Sequence, residues 1–146
     1  MLIGQYETTT GDKNRIAVPK KLRTELGSRM IIAKWYESCL VLVSEANWKM
    51  LISRITGEVR MITSSVRDTD RFILGSAFDA ETDSQGRFVI PSILKTYAKL
   101  DKEVIFLGLG DRVEIWNKSE WLKREEYITK QAASLLDNIA KSDVKA

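Results

Sequence analysis

The chain has no histidine, one cysteine and two prolines among 146 residues. Without imidazole there is no histidine-based catalytic triad, no histidine metal ligand and no side chain that ordinarily titrates near neutral pH. One cysteine rules out an intrachain disulfide, and Cys39, inside the apolar run ESCLVLV, reads as a buried strand thiol. No stretch approaches the roughly eighteen apolar residues of a membrane span. The opening MLIGQYETTT lacks the basic start and apolar run of a signal peptide, so a cytoplasmic protein is expected. The carboxylates show no metal-ligand spacing and no nucleophile stands beside a base, so neither catalysis nor a metal site is expected. GLGD, at Gly108–Asp111, lacks the Gly-Lys-Ser of a phosphate loop and reads as a hairpin turn.

Charge is abundant but nearly balanced: 23 Lys and Arg against 20 Asp and Glu leave a net of +3. Its distribution is more informative. Residues 11–23 hold five cations (Lys13, Arg15, Lys20, Lys21 and Arg23) and one anion, Asp12, a local net of +4 that exceeds the net of the whole chain. A basic cluster of this kind is either a solvated face or a surface for a polyanion.

The same segment occurs twice. Arg15 and Arg87, Pro19 and Pro91, and Leu22 and Leu94 are each separated by 72 positions, within RIAVPKKL and RFVIPSIL. Two copies point to a pseudo-dimer rather than a solenoid, which needs at least three units. The first copy reads as a strand IGQYETTT, a polar turn GDKN, a short strand RIAVP ended by proline, a helix KKLRTELG stopped at Gly27, and strands MIIA and CLVLV. A helix capped by Ser44 follows, with Trp48, Leu51 and Ile52 on one face. The second copy repeats this order through SAFDAET, DSQG, RFVIP, SILKTYAKL, EVIFLG and RVEIW. Ser119 is expected to cap a longer helix in which Tyr127, Leu135 and Ile139 recur at helical spacing. The connector at residues 57–75 is expected to become helical in its later part, with Phe72 and Ile73 facing the core. The four tryptophans, near strand ends and helix starts, read as packing of the junction in each half or of a subunit contact, with base stacking as the alternative.

Alternation along RIAVP puts Ile16 and Val18 on the core face and Arg15 with Ala17 on the other, beside Lys13. A ribbon of this kind fits a DNA major groove, where arginine binds the guanine edge and lysine meets phosphate. Asn14 and Gly86 stand directly before the two arginines and both tolerate positive φ, so the same turn is expected in both copies. Asn14 also carries an amide able to read a base. Asp12 and Asp83 either cap the turn backbone or pair with the nearby arginine.

MLIGQYETTTGDKNRIAVPKKLR and DSQGRFVIPSILKTYAKLDKEVIFLGLGDRVEIWNKSEW together resemble the MraZ family of bacterial transcriptional regulators, across essentially the whole chain. The resemblance implies an α+β fold: a duplicated swapped hairpin, or double-split β-barrel, shared with AbrB-like DNA-binding proteins and flanked by peripheral helices. The half-domains would be residues 1–76, with the connector helix, and 77–146, with the C-terminal helix. It further implies a ring-shaped homo-oligomer that binds promoter direct repeats upstream of the division and cell-wall gene cluster, associated with the nucleoid and without catalytic activity or a required cofactor. The family motif has Asp four residues before Arg and often Gly directly before it, which Asp83, Gly86 and Arg87 match. In the first copy Gly11 takes the Asp position, the acid moves to Asp12, and Asn14 replaces Gly. DNA contact is thus expected at Lys13, Asn14, Arg15 and Arg87, with Lys20, Lys21 and Arg23 facing phosphate or a protein interface. An alternative within the same fold is an antitoxin-like module whose C-terminal helix captures a protein partner.

Overall fold

The computed structural model describes residues 1–57 and 63–145, the side chains of 143–145 excepted. In chain order the elements are β1 (Leu2–Thr9), β2 (Arg15–Ala17), α1 (Lys20–Leu26), β3 (Arg29–Lys34), β4 (Leu40–Ser44), α2 (Glu45–Thr56) and α3 (Ser64–Ile73). There follow β5 (Phe78–Glu81), β6 (Arg87–Val89), α4 (Ser92–Tyr97), β7 (Glu103–Gly110), β8 (Val113–Asn117) and α5 (Lys118–Lys145). The later part of the connector is helical as expected, while its residues 58–62 lie outside the described residues.

Two antiparallel sheets form, and both mix the repeats. The large sheet has the order β1-β7-β8-β4-β3-β5, and β2 pairs with β6 as a separate ribbon. β1 therefore lies on β7 of the second copy, and β5 lies on β3 of the first. Ile16 pairs with Phe88, its own counterpart 72 positions on. In the central pair of the large sheet, Val41 and Glu114, each the second residue of its strand, also face one another. The backbone thus has an approximate two-fold axis through the ribbon and the middle of the sheet.

Alternation explains the two cores. Leu40 and Leu42 of β4 point toward the ribbon, with Ile16, Val18, Leu22, Phe88, Ile90 and Leu94 in the same cluster. Val41 and Val43 point to the opposite face, which α2, α3 and α5 cover through Leu51, Ile73 and Trp121. A strand buried on both faces needs an unbroken apolar run, which is what CLVLV provides. Cys39 and three of the tryptophans, Trp35, Trp116 and Trp121, are buried on the helix-covered side, with Trp48 packed against them. That packing removes the tryptophans from the ribbon and from base stacking.

Helix termini follow local chemistry. Ser44 Oγ accepts from Asn47 N at 3.2 Å, and Gly27 ends α1 with φ 77°. At α5 the cap is Asn117 rather than Ser119: Asn117 Oδ1 accepts from Glu120 N at 3.0 Å and from Ser119 Oγ at 2.8 Å. The carboxamide ending β8 sits three residues before Glu120, whereas Ser119 is already inside the first turn. On α5 it is Ile128 that packs on the core, while Tyr127 and Ile139 are exposed. The hairpin after β7 turns at Asp111 and Arg112, with Gly108 inside the strand. A Cβ on Gly108 would come within 2.6 Å of Ile3 N, so glycine admits the close approach of β1.

Candidate nucleic-acid interface

The ribbon stands on the large sheet with one face buried and one outward. Ile16 and Phe88 are 1% and 3% exposed, which fixes Arg15, Ala17, Arg87 and Val89 on the outer side. Arg15 lies opposite Val89, and Ala17 opposite Arg87. The two repeat arginines line one shallow depression together with Thr9, Gly11, Asp12 and Ala17. Lys13, in the turn before β2, and Lys20 and Lys21, opening α1, are exposed, and their ammonium groups have no hydrogen-bond or ion-pair partner among the described residues.

Both turns share one bond: Gly11 N donates to Arg15 O, and its counterpart Asp83 N donates to Arg87 O, each at 2.8 Å. Beyond it they differ, which corrects the expectation of one common turn. In the second turn Gly86 N donates to Asp83 O at 3.0 Å and Gly86 alone is left-handed, with φ 77°. In the first, Arg15 N closes on Asp12 O, and Lys13 and Asn14 are both left-handed, with φ 60° and 59°. The cause is the residue at the head of the turn. Asp83 Oδ1 accepts from Gln85 N at 2.8 Å and from Arg87 N at 3.0 Å, occupying the amide that otherwise closes the turn. Gly11 offers no side chain, so Arg15 N goes to the main chain. Two successive left-handed residues are the geometry of the tight primed turns that join strands, and a lysine there is strained.

Asp83 fills both roles open to it: it caps the backbone, and its Oδ2 accepts from Arg87 Nε at 3.1 Å. These bonds, led by the Arg87 backbone amide, hold its carboxyl below the usual aspartate range. Asp12 makes no such side-chain bond among the described residues. The Arg87 guanidinium is therefore clamped, while that of Arg15, its counterpart, has no partner among the described residues.

Two residues outside the ribbon brace its turns. Arg23 Nη1 donates to Gln85 O at 2.9 Å, so among the roles open to it Arg23 is placed against the other repeat's turn. A Cβ on Gly86 would fall 1.3 Å from that nitrogen. Lys95, 72 positions beyond Arg23, donates from Nζ to Asn14 Oδ1 at 2.8 Å. Sequence reasoning missed Lys95; its position as the counterpart of Arg23 was the available signal. Asn14 is thereby half-buried and its amide oxygen is occupied, leaving its NH₂ group for other contacts.

Chemically, this face offers guanidinium groups in a rigid ribbon and ammonium groups at its edge, and among the described residues no carboxylate pairs with Arg15. A duplicated α+β fold that presents one basic two-stranded ribbon is the class so defined.

Comparison with known proteins narrows it. The family described as "MraZ protein, putative antitoxin-like" matches twice, over residues 1–72 and 73–142. The chain belongs to the MraZ family. Among similar proteins, Transcriptional regulator MraZ of Caldanaerobacter subterraneus subsp. tengcongensis is 41% identical over 127 residues, covering 87% of this chain and 86% of that protein. Transcriptional regulator MraZ of Leuconostoc mesenteroides is 36% identical over 140 residues, covering 96% and 94%. The protein of the same name from Oenococcus oeni is 34% identical over 140 residues, with the same coverage. Among the described residues no helix is long and apolar enough to cross a membrane.

Proposed function

We propose that this chain is a transcriptional regulator that binds promoter DNA through the β2–β6 ribbon. The observation that carries this reading is the convergence of Arg15 and Arg87, from different repeats, on the outer face of one ribbon edged by lysines whose ammonium groups have no partner among the described residues. A two-stranded ribbon fits the major groove, where arginine donates in bidentate fashion to guanine. The names of the relatives agree with this role. Lys13 and Arg15 are its foremost contacts, Arg87 reads beside them, and Lys20 and Lys21 meet phosphate. Asn14, Asp83, Gly86 and Arg23 hold the turns in place.

The architecture is read as the swapped-hairpin barrel, with half-domains 1–76 and 77–146 exchanging β1 and β5. Its backbone is nearly symmetric while its charges are not: Lys13, Lys20 and Lys21 have Gln85, Ser92 and Ile93 as counterparts. One ribbon thus reads an unsymmetrical site with a direction. A ring of copies related by rotation presents such ribbons head to tail, which suits direct repeats, and tethering multiplies their effective concentration. The operator lies upstream of the division and cell-wall cluster in this reading, and the protein is cytoplasmic and associated with the nucleoid. Footprinting on the region upstream of the chain's own gene, with duplexes carrying one or several repeats, tests it. Protection of evenly spaced repeats, with tighter binding as repeats are added, is expected; uniform protection of any sequence contradicts it.

A second reading has one observation in its favour. Beyond Ile128, α5 is largely exposed, with Leu136 at 67% and Ile139 at 60%, as a helix awaiting a protein partner would be. Limited proteolysis of the purified chain separates the readings: a protected segment 119–140 argues against partner capture.

A further inference from the structure

Resting on the DNA-binding reading above, we propose that Val89 is a specificity-determining residue of the ribbon that contacts the methyl group of thymine. Val89 is 56% exposed on the outer face, directly opposite Arg15 and on the same strand and face as Arg87. Val89 ends β6 between two cations on a solvated face, and it belongs to neither hydrophobic core. Its neighbours identify the surface it meets. A guanidinium on either side selects the major-groove edge of a base pair, and the one apolar group displayed there is the C5-methyl of thymine.

The other large exposed apolar side chains do not share this placement. Leu136 and Ile139 lie far along α5, and Ile93 opens α4 rather than standing on the ribbon. The repeat counterpart of Val89 is Ala17, which is half-buried and offers a single methyl. The apolar contact is therefore made on one side of the approximate two-fold axis only. It reinforces the direction set by the lysines: thymine is preferred beside the base that Arg15 reads and is not required at the position facing Ala17.

The test compares duplexes of the region upstream of the chain's own gene made with thymidine or with deoxyuridine, which lacks only the methyl. The full chain binds the thymidine duplex about fourfold tighter for each methyl it covers, the effect of burying one methylene-sized group. Val89→Ala binds both duplexes with the wild-type affinity for deoxyuridine. Val89→Thr, which keeps one branch methyl and the strand preference, retains the discrimination. Equal binding of the two duplexes by the wild-type chain overturns the proposal, as does an undiminished thymidine preference in Val89→Ala. Failure of the wild-type chain to bind either duplex at low salt overturns the DNA-binding reading itself.

Discussion

Lys95 Nζ donates to Asn14 Oδ1 at 2.8 Å, joining the short helix of one repeat to the turn of the other. The reverse contact joins Arg23 to Gln85 O at 2.9 Å, with the guanidinium over Gly86. The two braces are counterparts, and the residues they meet complement them. Gly86 leaves room for the broad arginine head, while Asn14 extends an amide toward the slimmer lysine. Neither turn is held by its own repeat alone, so the ribbon keeps its shape only when both repeats are folded together.

Gly86→Ala tests the tighter brace. The new Cβ would overlap Arg23 Nη1 and place alanine at φ 77°, so a loss of about 1–3 kcal/mol is expected in urea unfolding. Arg23→Ala in the same chain should relieve the overlap and leave the φ strain. A Gly86→Ala chain as stable as wild type would show that Arg23 does not occupy this position.

Lys95→Ala should cost stability about 1 kcal/mol or less, since one partly buried hydrogen bond is lost. Its effect on DNA affinity should be larger, because the strained turn carrying Lys13 and Asn14 loses its brace. Anisotropy and thermal melting on the same sample separate the two effects. Equal changes in both would reduce Lys95 to a structural residue.

Acid should loosen the second turn, which a carboxylate clamps. The Asp83 carboxyl is held below its ordinary 3.8 by the Arg87 and Gln85 amides and the Arg87 guanidinium. A depressed folded value means that the stabilisation is complete above the unfolded value and is lost as pH falls through the folded one. NMR titration of the Asp83 carboxyl should give a midpoint below 3.8, and Asp83→Asn should flatten the acid limb of the stability profile. A midpoint at or above that value contradicts the clamp.

Cys39 should be inert in the native chain. It is fully buried, and burial together with the nearby Glu114 carboxylate pushes its thiol far up. A thiol reagent at mildly alkaline pH should label it only after denaturation. Prompt labelling of the folded chain would contradict the packing around β4.

Much of this was legible from local pattern. The spacing of 72 between the arginines located the repeats, alternation placed Ile16 inside and Arg15 outside, and the apolar run CLVLV marked a strand with a buried thiol. Asn14 and Gly86 before the arginines marked left-handed turn positions. Partner choice was not legible. Period-two alternation states which face a strand buries and leaves open which strand lies beside it, so the pairing of β1 with β7 and of β5 with β3 does not follow from the residue pattern, and only the family resemblance pointed to swapped hairpins. The braces at Arg23 and Lys95 span the repeats, and no local rule links them to a turn. The left-handed Lys13 follows from what Gly11 lacks, since without a carboxylate there the closing hydrogen bond moves by one residue.

The most direct test of the account is fluorescence anisotropy of wild type and Arg15→Ala on the chain's own upstream region and on a scrambled duplex, across a salt series. Arg15 is exposed, outside the core and unclamped, so its removal should leave the melting temperature nearly unchanged. Wild type should prefer its own region with a steep fall in affinity as salt rises, and Arg15→Ala should lose that preference. Equal weak binding of both duplexes by wild type, or undiminished preference in Arg15→Ala, would contradict the ribbon as the reading surface.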